Sequence, residues 1–116
     1  MYVKLSDLKQ MIFQLLQAVD LSKENAEVVC DVFIRATLRG NRHHDIYSFP
    51  DRIINLISRN IKPNPCIQMV HKYRCMENYE GDNGLGELCG MFIIKQAIHL
   101  ADEYGIGFCA IRNTNH

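Results

Sequence analysis

Pro63 and Pro65 divide this sequence into two stretches with different hydrophobic periods, and that change of period constrains the fold more than any other feature. Proline removes a backbone donor and turns the residue before it away from helical geometry, so the pair ends any helix that reaches it. Before the pair, apolar residues recur at the three- and four-residue spacing of helices; after it, short extended runs flank one amphipathic stretch. The pattern predicts an α/β chain: a helical segment over residues 1–62, then the start of an α/β segment over 63–116.

In the first segment Leu5, Leu8, Ile12, Leu15, Leu16 and Val19 form a helical stripe, with Ser6 as its expected N-cap and Asp7 near the positive end of the helix dipole. Ser22 is placed to cap a second helix, with Glu24 in its first turn. Ala26, Val29, Cys30, Phe33, Ile34 and Thr37 form its inner face, and Gly40 stops it. So short a link predicts an antiparallel hairpin. A third helix begins near Pro50, carries Ile53, Ile54, Ile57 and Ile61 at helical spacing, and is ended by Pro63 and Pro65. In the second segment, Ile67–Val70 and Tyr73–Met76 read as a hairpin turning at His71-Lys72. Gly81, Gly84, Gly86 and Gly90 read as a tight strand-to-helix turn. Met91–Tyr104 reads as a helix closed by Gly105, and Phe108–Ile111 as a buried strand.

Thirteen basic residues balance thirteen acidic ones and the pI is near 6.9. No general electrostatic attraction to nucleic acid follows, and no apolar run is long enough to span a bilayer. The N-terminus lacks a secretory signal pattern, and the five cysteines are odd in number with no C-x-x-C pair. Reduced thiols and a cytoplasmic location are expected. The sequence stops five residues after an expected core strand, so a fragment of a longer polypeptide is also expected.

Three constellations can carry chemistry. His43-His44-Asp45 offers imidazoles suited to proton exchange near neutral pH beside a carboxylate able to fix a tautomer. Its structural alternative is a solvated loop. It does not read as a metal site, because adjacent loop residues seldom face one ion and no further ligand stands at suitable spacing. The glycines between 81 and 90 match neither G-x-G-x-x-G nor the Walker pattern, which leaves a tight turn as the better reading. Arg112-Asn113-Thr114-Asn115-His116 follows an expected strand, where polar side chains line many α/β sites; a surface loop is the alternative. Cys30, Cys89 and Cys109 lie in apolar periodic segments as buried thiols.

Taken in order, Leu21–Ala26, Leu38-Arg39-Gly40, His44, Asn60–Pro63, Gly84-Leu85-Gly86, Ala97, Ala101, Gly105-Ile106-Gly107 and Arg112–His116 resemble the N-terminal part of the second, non-Rossmann type of malate/L-lactate dehydrogenase. That family also includes ureidoglycolate, sulfolactate and diketogulonate oxidoreductases. The resemblance covers essentially the whole sequence. It implies hydride transfer between NAD or NADP and a small 2-hydroxy or 2-oxo acid such as malate or lactate. It also implies a homodimer at full length, and nicotinamide-binding segments mostly beyond the equivalent of His116.

The family pattern after the second helix is Gly, two variable residues, Ser-His-Gly, then Arg three residues on. Laid on Gly40, it puts the histidine at His44, the serine at His43, the glycine at Asp45 and the arginine at Ser48. The second signature, Arg-Asn-Ser-x-His, falls on Arg112–His116 with Thr114 replacing serine. The resemblance implies that His116 is the principal acid/base and His44 a supporting catalytic histidine, with His43, Ser48, Arg112 and Asn113 at the substrate. Serine cannot pair a substrate carboxylate as arginine does, and Asp45 adds negative charge. A catalytically inactive binding or oligomerisation module derived from the family is therefore the alternative. A metal-binding interaction module ranks third. The 116-residue piece alone is expected neither to hold the cofactor tightly nor to turn over.

Overall fold

Local capping chemistry sets the helices of the first unit. In the computed structural model, which describes residues 1–115, the chain separates between Asn64 and Pro65 into two compact units. The first holds α1 (Leu5–Ala18), α2 (Lys23–Leu38), a single 3₁₀ turn (Ile46–Ser48) and α3 (Phe49–Ile57). The α2 N-cap is Ser22, whose hydroxyl accepts the Asn25 amide at 3.2 Å and so satisfies one of the helix's orphan donors. The α1 N-cap is Lys4, with no side-chain bond, so Ser6 lies inside the helix and does not cap it.

All three helices of this unit end the same way. In α2, Gly40 (φ +70°) donates to Thr37 O and Asn41 donates to Ala36 O, at 3.1 and 3.0 Å. These are the paired bonds of a Schellman ending. Asp20-Leu21 and Arg59-Asn60 repeat it after α1 and α3, with Asp20 and Arg59 in left-handed geometry. The core of the unit joins Ile12 and Leu16 of α1 to Ala26, Val29, Phe33 and Ile34 of α2, with Phe49 set edge-on to Phe33 at 5.3 Å between ring centres. The Cys30 thiol reaches Lys9 O across the hairpin at 3.5 Å. The third helix is shorter than expected, ending at Ile57. It buries Phe49 and Leu56, whereas Ile54 and Ile57 are exposed; Ile61 is buried, but beyond the helix end.

The second unit is a three-stranded sheet in the order β1-β2-β3 with one helix: β1 (Gln68–Tyr73), β2 (Met76–Leu85), α4 (Gly86–Tyr104) and β3 (Phe108–Asn115). β1 and β2 are antiparallel; β2 and β3 are parallel and joined through α4. The hairpin turns at Arg74-Cys75, three residues later than expected, with Tyr73 opposite Met76 and Arg74 at φ +52°. The glycine-rich stretch is also divided differently. Residues through Leu85 extend β2, and α4 starts at Gly86, ahead of the expected Met91. Gly105 closes α4 at φ +82° and donates to Ala101 O at 2.8 Å. α4 packs on β2 and β3, with Phe92 edge-on to Tyr79 at 5.1 Å. Among the described residues β3 is an edge strand: Cys109, Ala110 and Ile111 are half-buried and Phe108 is exposed.

Candidate functional site

The residues expected to act are divided between the two units. In the first, the Schellman ending at Gly40 releases the chain into the histidine loop. Thr37 anchors the far side of that loop: its hydroxyl donates to Phe33 O at 2.8 Å and accepts the Ile46 amide at 3.1 Å. The His44 amide donates to Asn41 O at 3.1 Å. Asp45 caps the 3₁₀ turn, its carboxylate accepting the Tyr47 amide at 2.9 Å, and it is only 4% exposed. Ser48 donates its hydroxyl to Asp45 O at 2.8 Å. Of the positions that depart from the family pattern in this loop, Asp45 therefore holds the turn and Ser48 fastens it. His43 and His44 stand exposed on the loop that results.

In the second unit, Arg112 and Asn113 meet one carboxylate. Glu80 accepts Arg112 Nε at 2.8 Å through one oxygen and Asn113 Nδ2 at 2.6 Å through the other. The Asn113 bond first, and the Arg112 bond after it, hold the Glu80 carboxyl below the usual glutamate range. Between the Glu80–Arg112 and Gly84–Thr114 pairs the ladder slips, so that Gly81, Asp82 and Asn83 face the single residue Asn113. Asp82, Asn83 and Asn113 all have φ between +53° and +55°. Asn and Asp tolerate this left-handed region better than other non-glycine residues, which suits them to such a bulge. Arg112 also borders a cleft of about 250 Å³ with Val70, Asn78, Tyr79, Ala110 and Ile111. His116, the expected principal acid/base, lies outside the described residues.

Sequence reasoning missed Glu80, and it also missed Glu77. Glu77 is 5% exposed, accepts the Tyr79 hydroxyl and pairs with Lys72 Nζ at 3.2 Å. Burial, and then the bond to Glu77, push the Tyr79 phenol well above its ordinary range; the same carboxylate raises Lys72. The available signal was the i, i+2 spacing of Glu77 and Tyr79, which puts both on one face of a strand.

The glycine-rich stretch does not fit a dinucleotide phosphate. A Cβ at Gly84 would stand 2.4 Å from the Pro65 ring, and one at Gly81 2.7 Å from Thr114 Cγ2. These glycines admit neighbouring protein atoms and leave no room for a ligand between. At the α4 N-terminus Leu85, Leu88 and Cys89 are buried. A second cavity, about 450 Å³, lies between α1 and α2 and is bordered by Lys9, Phe13, Lys23 and Cys30; no expected site residue lines it. Among the described residues no three His, Cys, Asp or Glu side chains stand close enough to hold a metal ion, and no helix is long and apolar enough to cross a membrane.

The chain and its fold can be set beside known proteins. The malate/L-lactate dehydrogenase family profile matches residues 3–116. L-sulfolactate dehydrogenase of Methanocaldococcus jannaschii is 35% identical over 116 residues, which is all of this chain and 34% of that protein. The solved structure of sulfolactate dehydrogenase from that organism matches the whole chain with a TM-score of 0.95. The malate dehydrogenase of Pyrococcus horikoshii OT3 matches it at 0.96 with 29% identity, and 33% of that chain is covered. The 2,3-diketo-L-gulonate reductase of Salmonella heidelberg is 29% identical, with 35% of its length covered. This chain thus spans about a third of the length of these relatives and corresponds to their N-terminal region. With matches of this extent in both sequence and structure, the chain belongs to the malate/L-lactate dehydrogenase family.

Proposed function

We propose that this chain is the N-terminal portion of an NAD(P)-dependent oxidoreductase that exchanges hydride between a nicotinamide and a small 2-hydroxy or 2-oxo acid. Residues 1–62 supply its helical segment and 63–116 the start of its α/β segment. The observation that carries the reading is the match of the entire chain to the N-terminal region of dehydrogenases and reductases of such acids. The nicotinamide is held by segments outside this sequence, in keeping with the poor fit of the glycine-rich stretch. His116 moves the proton at the substrate hydroxyl or carbonyl, and His44 supports it from the exposed loop. His43, Ser48, Arg112 and Asn113 contact the substrate. The full protein acts in the cytoplasm as a homodimer.

A catalytically inactive module of the same descent is the second reading, favoured by Asp45 and Ser48, which are both committed to their own turn. The deciding experiment begins with the native mass, detected by an antibody against Asp51–Asn64. A species much heavier than 13.4 kDa is expected. That species should oxidise NADH or NADPH with a 2-oxo acid and lose this activity on His116→Ala. A heavier species with no turnover on any 2-oxo acid supports the inactive module. A native product of 13.4 kDa ends the dehydrogenase reading for this protein.

A further inference from the structure

The left-handed bulge at Asp82-Asn83 and Asn113 is not explained by sheet formation alone. Three non-glycine residues with positive φ face one another across two paired strands, immediately before the chain reaches His116. Single residues of this kind end helices and hairpins elsewhere in the chain, whereas three together at one bulge are held by surrounding contacts, and bulges serve to aim side chains. Two contacts fix it on the β2 side. Asp82 accepts the Cys66 amide at 3.0 Å, and Cys89 Sγ approaches Gly81 O at 3.8 Å. On the β3 side, Glu80 holds the side chains of both Arg112 and Asn113. Gly81 lets this happen: a Cβ there would stand 3.0 Å from the carbonyl oxygens of both residues.

We infer that Glu80 is a positioning residue for the reaction: by clamping Arg112 and Asn113 it fixes the left-handed turn of Asn113 and the direction of the Arg112 side chain. The inference rests on the substrate contacts proposed for Arg112 and Asn113. Glu80 touches neither substrate nor cofactor in this account. It acts through Asn113, and it also draws the Arg112 guanidinium into an ion pair, so that a substrate carboxylate meets an arginine of fixed direction.

The test uses Glu80→Ala and Glu80→Gln with two readouts. In this chain, NMR reads the strong intraresidue amide–Hα NOE that marks positive φ at Asn113. Glu80→Ala should lose it, and Glu80→Gln, which keeps an acceptor oxygen at the same reach, should retain it in part. In the longer protein with His116-dependent turnover, Glu80→Ala should lower kcat on the order of tenfold to a hundredfold, with a smaller change in KM. Glu80→Gln should recover much of that loss. An unchanged Asn113 NOE in Glu80→Ala overturns the positioning role whatever the enzyme does. So does a wild-type kcat in that variant when His116→Ala is inactive. If the unmutated protein shows no His116-dependent turnover, the functional reading itself fails and this role fails with it; that outcome is distinguished because it appears before any change at Glu80.

Discussion

A methyl group at Gly107 should damage this fold more than almost any change of comparable size. Gly107 lies between α4 and β3, and a Cβ there would stand 2.1 Å from Ala97 O, 2.8 Å from Leu100 Cβ and 3.0 Å from Ala101 N. Ordinary contact begins near 3.4 Å, so the first of these is more than an ångström too close. The partners belong to helix backbone and to a buried leucine, and no flexible side-chain tip is available to yield. α4 and the start of β3 must therefore separate. Overpacking of this kind costs about 1–3 kcal/mol, and rigid backbone partners put Gly107→Ala at the upper end. For a chain near 100 residues that is a fall in Tm on the order of 10–20 °C. Gly90→Ala is the matched control, because nothing lies within 4 Å of a Cβ there and the site is inside α4. It should gain about 0.5–1 kcal/mol from the better helix former. Urea and thermal denaturation followed by circular dichroism read both variants. A Gly107→Ala loss below about 0.5 kcal/mol, or the same sign of change in both, would refute the packing argument.

Other expectations follow from individual contacts. Ser22→Ala should cost about 1 kcal/mol through loss of the α2 cap, measured by urea denaturation; an unchanged midpoint would show that the Asn25 bond contributes nothing. The carboxyl of Glu80 is held below its ordinary value of 4.5, so the stability it contributes is complete above that pH and declines as pH falls toward the lower native value. Glu80→Gln should flatten this acid limb, and identical acid melting of variant and parent would count against the clamp. Burial raises the thiols of Cys30 and Cys89, whereas Cys66 is exposed. A thiol reagent near neutral pH should label Cys66 first and reach Cys30 and Cys89 only on unfolding. Rapid labelling of either buried thiol in the folded chain would contradict the packing described.

Legibility tracked the range of the interactions. α2 was readable from end to end because its cap, apolar stripe and stop all lie within a few residues of one another, from Ser22 to Gly40. The hairpin was readable as a hairpin but not in its register. Every residue of β1 is exposed, so no buried face ties the pattern to one alignment, and the turn settled at Arg74-Cys75. In α3 the spacing of the isoleucines announces a helix but not its packing face, which is made by Phe49 and Leu56. At the site, the two signature segments stood out as residue types in order, yet neither Asp45 nor Glu80 could be assigned its task. The Asp45 cap depends on a 3₁₀ turn that no local pattern announces. The Glu80 clamp joins residues more than thirty positions apart, brought together only when β3 aligns beside β2.

Asn64 gives the first unit an order of completion during synthesis. Its amide side chain accepts the Ser22 amide at 2.8 Å and Asn25 Nδ2 at 2.9 Å, and donates to Asp20 O at 2.7 Å, tying the connection between α1 and α2 to the last residue of the unit. A nascent chain can form the α1–α2 hairpin as soon as both helices emerge, but only its own apolar seam then holds it together. The connection is locked when residue 64 leaves the ribosome, before β1 has emerged. The unit then closes as a folding step of its own, ahead of the sheet that carries Arg112 and Asn113.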